Sequence, residues 1–216
     1  MTTNPISSVA KIENAPENPM KFFKEYLEEA EMYQNDTFLL FNLATGNSKG
    51  EVLNRTVVLR GHDDDGIIFV TERNSRKYLD IQENPQVSAT FLWCYRKTAD
   101  SELIKHQVRI LGTAKELSAE KIKEFYDNEP LAYKIRSAIC RCGEPVNWDE
   151  LKKSHDDLMQ RVLEGSETLP QNESYTVIHV KATNVDFYHS QGPNQMADRV
   201  VYRLEGNKWR QEHVFA

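Results

Sequence analysis

Apolar positions along the chain switch between a helical and an alternating period. From Pro19 to about Gln34, Phe22, Phe23, Tyr26, Leu27 and Ala30 recur near helical spacing with Lys and Glu between them. Asn18-Pro19 supplies a capping residue and a proline at the first helical position. Thr37–Thr45 (TFLLFNLAT) then predicts a largely buried strand, and residues 46–50 a loop into a partner strand. That partner carries Val57, Val58 and Leu59, a short β-branched run. Asp63-Asp64-Asp65-Gly66 predicts a turn, and Ile67–Val70 a returning strand. Arg76–Asn84 reads as a short helix capped by Asn74 or Ser75 and stopped by Pro85. Val87–Tyr95 predicts a strand, Arg96–Lys105 a protruding polar loop, and His106–Leu117 a long alternating strand.

The second half begins with a helix from Ser118 to about Asn128, stopped before Pro130. Leu131–Cys142 predicts a second short helix, and Trp148–Leu163 a stronger one with Leu151, Leu158 and Val162 on one side. Tyr175–Val180 and Val185–His189 read as two strands, and Val200–Leu204 with Trp209–His213 as a closing hairpin. About seven strands with mostly short connections imply antiparallel pairing and a closed or nearly closed barrel with peripheral helices. Residues 1–18, interrupted by Pro5 and Pro16, are expected to form a mobile N-terminal segment or one draped over the surface. A single domain is expected over 19–216.

Composition narrows the function classes. The net charge of −6 argues against nonspecific nucleic-acid binding, which needs a basic face. No apolar run approaches the roughly 20 residues that cross a membrane, and the N-terminus has no signal-peptide core. A cytoplasmic protein is the expectation. Cys94, Cys140 and Cys142 are an odd set without redox or zinc spacing, so ordinary thiols are expected. The six histidines lack helical metal-ligand spacing, and no metal is expected. Neither Gly-x-Ser-x-Gly nor Gly-x-Gly-x-x-Gly occurs.

The informative chemistry lies between Arg55 and Lys77. Arg55 and Arg60 end one strand, while Arg76 and Lys77 open a helix, where cations oppose the helix dipole. A bound phosphate would remove that conflict. Solvated surface charge is the alternative, and it suits Arg76 and Lys77 less well than Arg60 and Arg109. Gln107 lies in a strand, where it could bond a ring carbonyl or ring nitrogen, and Arg199 follows a Gly-Pro loop. Together these residues suit an anionic ligand with a flat polar ring.

In this order, the segments Arg55–Arg60, Phe69–Thr71, Ser75–Lys77, Glu83–Pro85, Gln107–Arg109 and Asp198–Tyr202, with Trp209, resemble the pyridoxamine (pyridoxine) 5′-phosphate oxidase family. The likeness runs from about Pro19 to the C-terminus. It implies an antiparallel split β-barrel of the FMN-binding type, with FMN at a homodimer interface and a small-molecule substrate. By resemblance, Arg55, Thr56, Val57, Val58, Arg60, Val70, Thr71, Ser75, Arg76, Lys77, Gln107, Tyr188 and Arg199 would contact flavin. Arg76 and Lys77 would hold its phosphate, and Tyr188 stands where the family usually has tryptophan.

The substrate side departs from the family pattern. Arg60 replaces a lysine, and Phe125, Glu129 and Tyr133 replace a tyrosine, an arginine and a serine that hold the vitamin phosphate. Gln195 and Ala197 replace an arginine and a histidine, and Cys142-Gly143 matches a flavin-holding Gln-Ser pair by position only. Glu129 would place negative charge beside a phosphate. The resemblance therefore implies an FMN-dependent oxidase of pyridoxamine or pyridoxine phosphate with an altered pocket. The alternatives are an FMN oxidoreductase with a different, non-phosphorylated substrate, and a non-catalytic flavin-binding paralogue.

Overall fold

Strand alternation resolves into a closed ring. The computed structural model describes residues 8–34 and 36–216. The strands are β1 (Ser8–Val9), β2 (Leu40–Gly46), β3 (Val52–His62), β4 (Gly66–Glu72), β5 (Gln86–Tyr95), β6 (Ile104–Glu116), β7 (Tyr175–Gln191), β8 (Gln195–Met196), β9 (Asp198–Glu205) and β10 (Lys208–Val214). The helices are α1 (Pro19–Tyr33), α2 (Arg76–Glu83), α3 (Ala119–Asp127), α4 (Leu131–Ile139) and α5 (Trp148–Leu163). In the main sheet the order β7-β4-β3-β2-β5-β6 closes on itself because β6 pairs back with β7. β9 and β10 extend outward from β7, and every pairing in this sheet is antiparallel. The fold is the expected split barrel with peripheral helices.

Alternation sets which side chains fill the ring. In β5, Phe91, Trp93 and Tyr95 are buried while Leu92 and Cys94 face out. Phe41 and Phe91 stack at 4.9 Å between centroids, and Phe91 meets Trp93 at 5.3 Å. The Trp93 indole donates to the Phe38 carbonyl at 2.8 Å, so its polar edge is satisfied on burial. α1 begins where the Asn18 side chain accepts from the Met20 amide, and its Met20, Phe22, Phe23 and Leu27 join the same core.

Three local expectations are corrected. β7 is one strand of 17 residues, not two. The polar run Lys181–Asn184 that suggested a break holds a bulge instead: Leu111 faces Asn184 while Gly112 faces Ala182, leaving Thr183 as the extra residue. Gly112 permits that close approach, because a Cβ there would stand 2.3 Å from the Lys181 carbonyl oxygen. The strand expected from Thr37 starts at Leu40, after a 3₁₀ turn over Asp36–Leu39. Ser75 occupies the N-cap of α2, yet its hydroxyl bonds Thr71 Oγ1 at 3.0 Å rather than a helix amide.

Of the lead-in expected to be mobile or draped, residues 1–7 lie outside the described residues. Residues 8–18 are draped along the barrel. β1 pairs in parallel with β8, Ala10 and Ile12 are buried, and the Ile12 amide donates to Asp198 Oδ2 at 2.8 Å. Among the described residues, no helix is long and apolar enough to cross a membrane.

Candidate functional site

A cavity of about 320 Å³ opens where the outer face of β3, the end of β4, the start of α2 and one face of α4 meet. That volume is in the usual range for small-molecule sites, roughly 300–1,000 Å³. β3 contributes Thr56, Val58 and Arg60 by alternation, with Val57 between them. β4 contributes Val70, Thr71 and Glu72, and the turn into α2 contributes Ser75 and Lys77. Glu129, Tyr133, Arg136, Ser137 and Cys140 follow a helical period and form the opposite wall. Two larger clefts, of about 490 and 600 Å³, lie along β10 and α5. There Lys11 pairs with Glu13 and Arg161 with Glu167, so their cations are already matched.

Charge inside the smaller cavity is not matched in this way. Lys77 is half-buried, and its ammonium donates to Thr71 Oγ1 at 3.2 Å. Among the described residues it has no carboxylate partner within ion-pair distance, and neither does Arg136. Burial pulls the Lys77 ammonium below the ordinary lysine range. Burial pushes the Glu72 carboxyl above its ordinary range, and Glu72 Oε2 and Ser137 Oγ are buried without partners among the described residues. A cavity holding an unmatched ammonium, an unmatched guanidinium and an idle hydroxyl has the donor set of an anion site.

Arg60 is matched. Its Nη2 meets Glu129 Oε2 at 2.7 Å, and the Tyr175 hydroxyl donates to Glu129 Oε1 at 2.8 Å. Burial, then the Glu129 carboxylate, hold the Tyr175 phenol well above the ordinary tyrosine range, so it remains a donor. The Arg60 guanidinium lies 5.5 Å from the centroid of the Tyr133 ring.

The other residues expected at a site divide into three groups. Arg55 and Arg76 lie beside the cavity but outside its lining. Arg55 donates to Thr45 Oγ1 at 2.7 Å and to the Leu43 carbonyl at 3.2 Å. Arg76 pairs with the buried Asp80 at 2.6 Å and with the exposed Glu51 at 3.0 Å, whereas the sequence reading gave it to a bound phosphate. Its physical reason is Asp80, one turn along α2 and within direct reach of the guanidinium.

Gln107, Tyr188 and Arg199 form a row across β6, β7 and β9, since Gln107 registers with Tyr188 and Tyr188 with Arg199. Arg199 is held by Asp186 through Nε at 2.9 Å and Nη2 at 2.5 Å, and Arg109 pairs with the same carboxylate. Burial works against Asp186 ionising, but the two arginines outweigh it and keep its carboxyl below the ordinary range. This row is not part of the cavity lining.

Phe125 packs beside Ile122, Tyr126, Tyr175 and Val177 in a satellite core rather than lining the cavity. Gln195 and Ala197 lie at β8 and just after it, and Gln195 Oε1 is buried without a partner among the described residues. Arg136, Ser137, Cys140, Glu72 and Tyr175 were not singled out from sequence. The signal for the first three was present: they continue the helical period of Glu129 and Tyr133.

Comparison with known proteins accords with this architecture. The family profile described as pyridoxamine 5′-phosphate oxidase matches residues 27–211. The chain is 28% identical over 196 residues to a pyridoxine/pyridoxamine 5′-phosphate oxidase of Bordetella pertussis, covering 91% of this chain and 88% of that one. It is 25% identical over 201 residues to pyridoxine/pyridoxamine 5′-phosphate oxidase 2 of Hydrogenovibrio crunogenus, covering 93% and 90%. Among solved structures, PhzG from Burkholderia lata, in complex with tetrahydrophenazine-1-carboxylic acid, superposes with a TM-score of 0.80 at 22% identity, covering 97% of this chain and 100% of that one. A pyridoxamine 5′-phosphate oxidase-related, FMN-binding protein from Nostoc punctiforme gives 0.67 at 18%, covering 94% and 99%. With 185 consecutive positions inside one family profile and a barrel shared with these structures, the chain belongs to the pyridoxamine 5′-phosphate oxidase family.

Proposed function

We propose that this protein is an FMN-dependent oxidoreductase acting on a small ring compound, with the flavin held between two copies of the chain. The observation that carries this reading is Lys77, a half-buried ammonium in the cavity without a carboxylate partner among the described residues. The Bordetella and Hydrogenovibrio relatives named as oxidases support the reaction class, and the FMN-binding relative from Nostoc supports the cofactor.

The residues present fit FMN. Lys77, Arg136 and the Ser137 hydroxyl would hold the phosphate, and the Thr71 and Ser75 hydroxyls add donors beside it. Thr56, Val57, Val58 and Val70 give a wall of backbone and short side chains suited to a flat ring. Arg55 and Arg76 would join only by exchanging their present partners. When bound, FMN supplies the hydride-accepting ring, with oxygen as the expected final acceptor. The chain itself binds, orients and excludes water.

Gln107, Tyr188 and Arg199 stand outside the lining that would hold the ligand, about three strand spacings, roughly 15 Å, around the barrel from Thr56 by way of Asn42, Thr90 and Arg109. A second copy brings them to it. Val58, Leu92 and Leu111 are exposed on this same outer face, following the pleat from β3 through β2 and β5 to β6. Apolar side chains so grouped suit an interface between copies.

The test is direct. Purified protein is expected to take up one FMN per chain, with flavin absorption bands, and to run at twice the 25.0 kDa chain mass. Protein that takes up no FMN under saturating conditions refutes the cofactor, and a flavin-loaded monomer refutes the shared site.

A further inference from the structure

The cavity lining carries three cations, Arg60, Lys77 and Arg136, and two carboxylates, Glu72 and Glu129. Glu129 is fixed from three directions. It sits at the α3–α4 junction, Arg60 reaches it from β3, and Tyr175 reaches it from the start of β7. Its side chain is 1% exposed, and each of its oxygens is engaged. Arg60, at 23% exposure, is the member of the pair that faces the cavity.

With FMN in place, Lys77 and Arg136 would be engaged by the flavin phosphate. No unmatched cation is left in the lining for a second phosphate. A phosphate brought to Arg60 would stand beside a buried carboxylate that cannot turn away. A hydroxyl, carbonyl or ring nitrogen could accept from the remaining Arg60 N–H groups without displacing Glu129. The Tyr133 ring flanks the same guanidinium and offers a flat apolar surface.

We infer that the Arg60–Glu129 pair determines specificity in this cavity and that the substrate is a planar ring compound without a phosphate group. This rests on the cavity being the FMN site. The pair acts by occupation: Glu129 already takes the charge of the Arg60 guanidinium, so a dianion gains little there and must compete with a fixed carboxylate, while a neutral ligand needs only the remaining N–H groups.

The experiment uses the FMN-loaded protein and follows the flavin absorption spectrum as pyridoxine or pyridoxine 5′-phosphate is added. FMN affinity is measured separately by fluorescence quenching. Wild type is expected to bind the phosphate ester at least about tenfold more weakly than pyridoxine, or not at all. Glu129→Gln keeps the shape and removes the charge, and is expected to gain at least about tenfold for the phosphate ester. Wild type that binds both equally or prefers the ester overturns the inference, as does a folded Glu129→Gln that gains nothing. Should Glu129→Gln not fold, the wild-type comparison decides alone. Failure of wild type to bind FMN would instead overturn the cofactor reading beneath it.

Discussion

Replacing Lys77 by Met separates a ligand-holding ammonium from a structural one. In the free protein the ammonium makes one hydrogen bond, to Thr71 Oγ1, and faces no carboxylate among the described residues. Losing that bond costs about 0.5–1.5 kcal/mol. Relief of the desolvation that already depresses the Lys77 pKa offsets part of it. The melting temperature of the flavin-free protein should therefore move by no more than about 4 °C, the scale of 1 kcal/mol in a chain this long. In the FMN complex the same substitution removes a charge-assisted bond worth about 1.5–3 kcal/mol, which weakens FMN binding about 10- to 150-fold. Fluorescence titration of FMN and melting with and without FMN read the two effects independently. Arg76→Met is the matched control, because its guanidinium is spent on Asp80 and Glu51. It should lower the stability of the flavin-free protein while changing FMN affinity less than Lys77→Met does. A Lys77→Met protein with unchanged FMN affinity would refute the anion site. A larger affinity loss from Arg76→Met would place the phosphate on the other side of the helix start.

Other expectations follow from single contacts. His106 is buried against the Tyr26 ring at 3.7 Å, and burial, with His189 and Lys97 nearby, pulls its pKa down to about 3. The folded state then binds fewer protons than the unfolded one, so stability is intact above about pH 6.5 and falls as pH drops toward 3. Denaturation at pH 7 and pH 5 should differ by about 2 kcal/mol more in wild type than in His106→Gln; equal differences would refute the assignment. Leu92→Glu charges an exposed outer position opposite Gln107, and should shift the protein toward monomer and weaken FMN binding together. Light scattering that finds an intact dimer would count against that face. Gly112→Ala puts a methyl against the Lys181 carbonyl, and should lower the melting temperature by several degrees if the bulge is as tight as the geometry states.

Much of this architecture was legible because the strands obey strict alternation. In β5 the sequence VSATFLWCY assigns Phe91 and Trp93 inward by period alone. β7 was misread as two strands because Lys181–Asn184 looks polar, while the residue that lets the strand run on, Gly112, lies in β6. Pairings across long separations leave no local trace. Arg60 and Glu129 are 69 positions apart, and Ile12 and Asp198 are 186 apart. The α4 wall was hidden for a different reason: a search for apolar faces passes over Glu129, Tyr133, Arg136 and Ser137, a polar face with the same period.

Ring closure places a demand on synthesis. β7 registers Ile67 with Val180 on one side and Ile110 with Val185 on the other, so nothing shuts until the last fifth of the polypeptide has emerged. Until β7 emerges, β4 and β6 present bare N–H and C=O rims, which neighbouring nascent chains can zip onto. A stop codon before Tyr175 should therefore yield insoluble material instead of a merely less stable barrel, and the tail of the chain governs solubility as much as it governs shape.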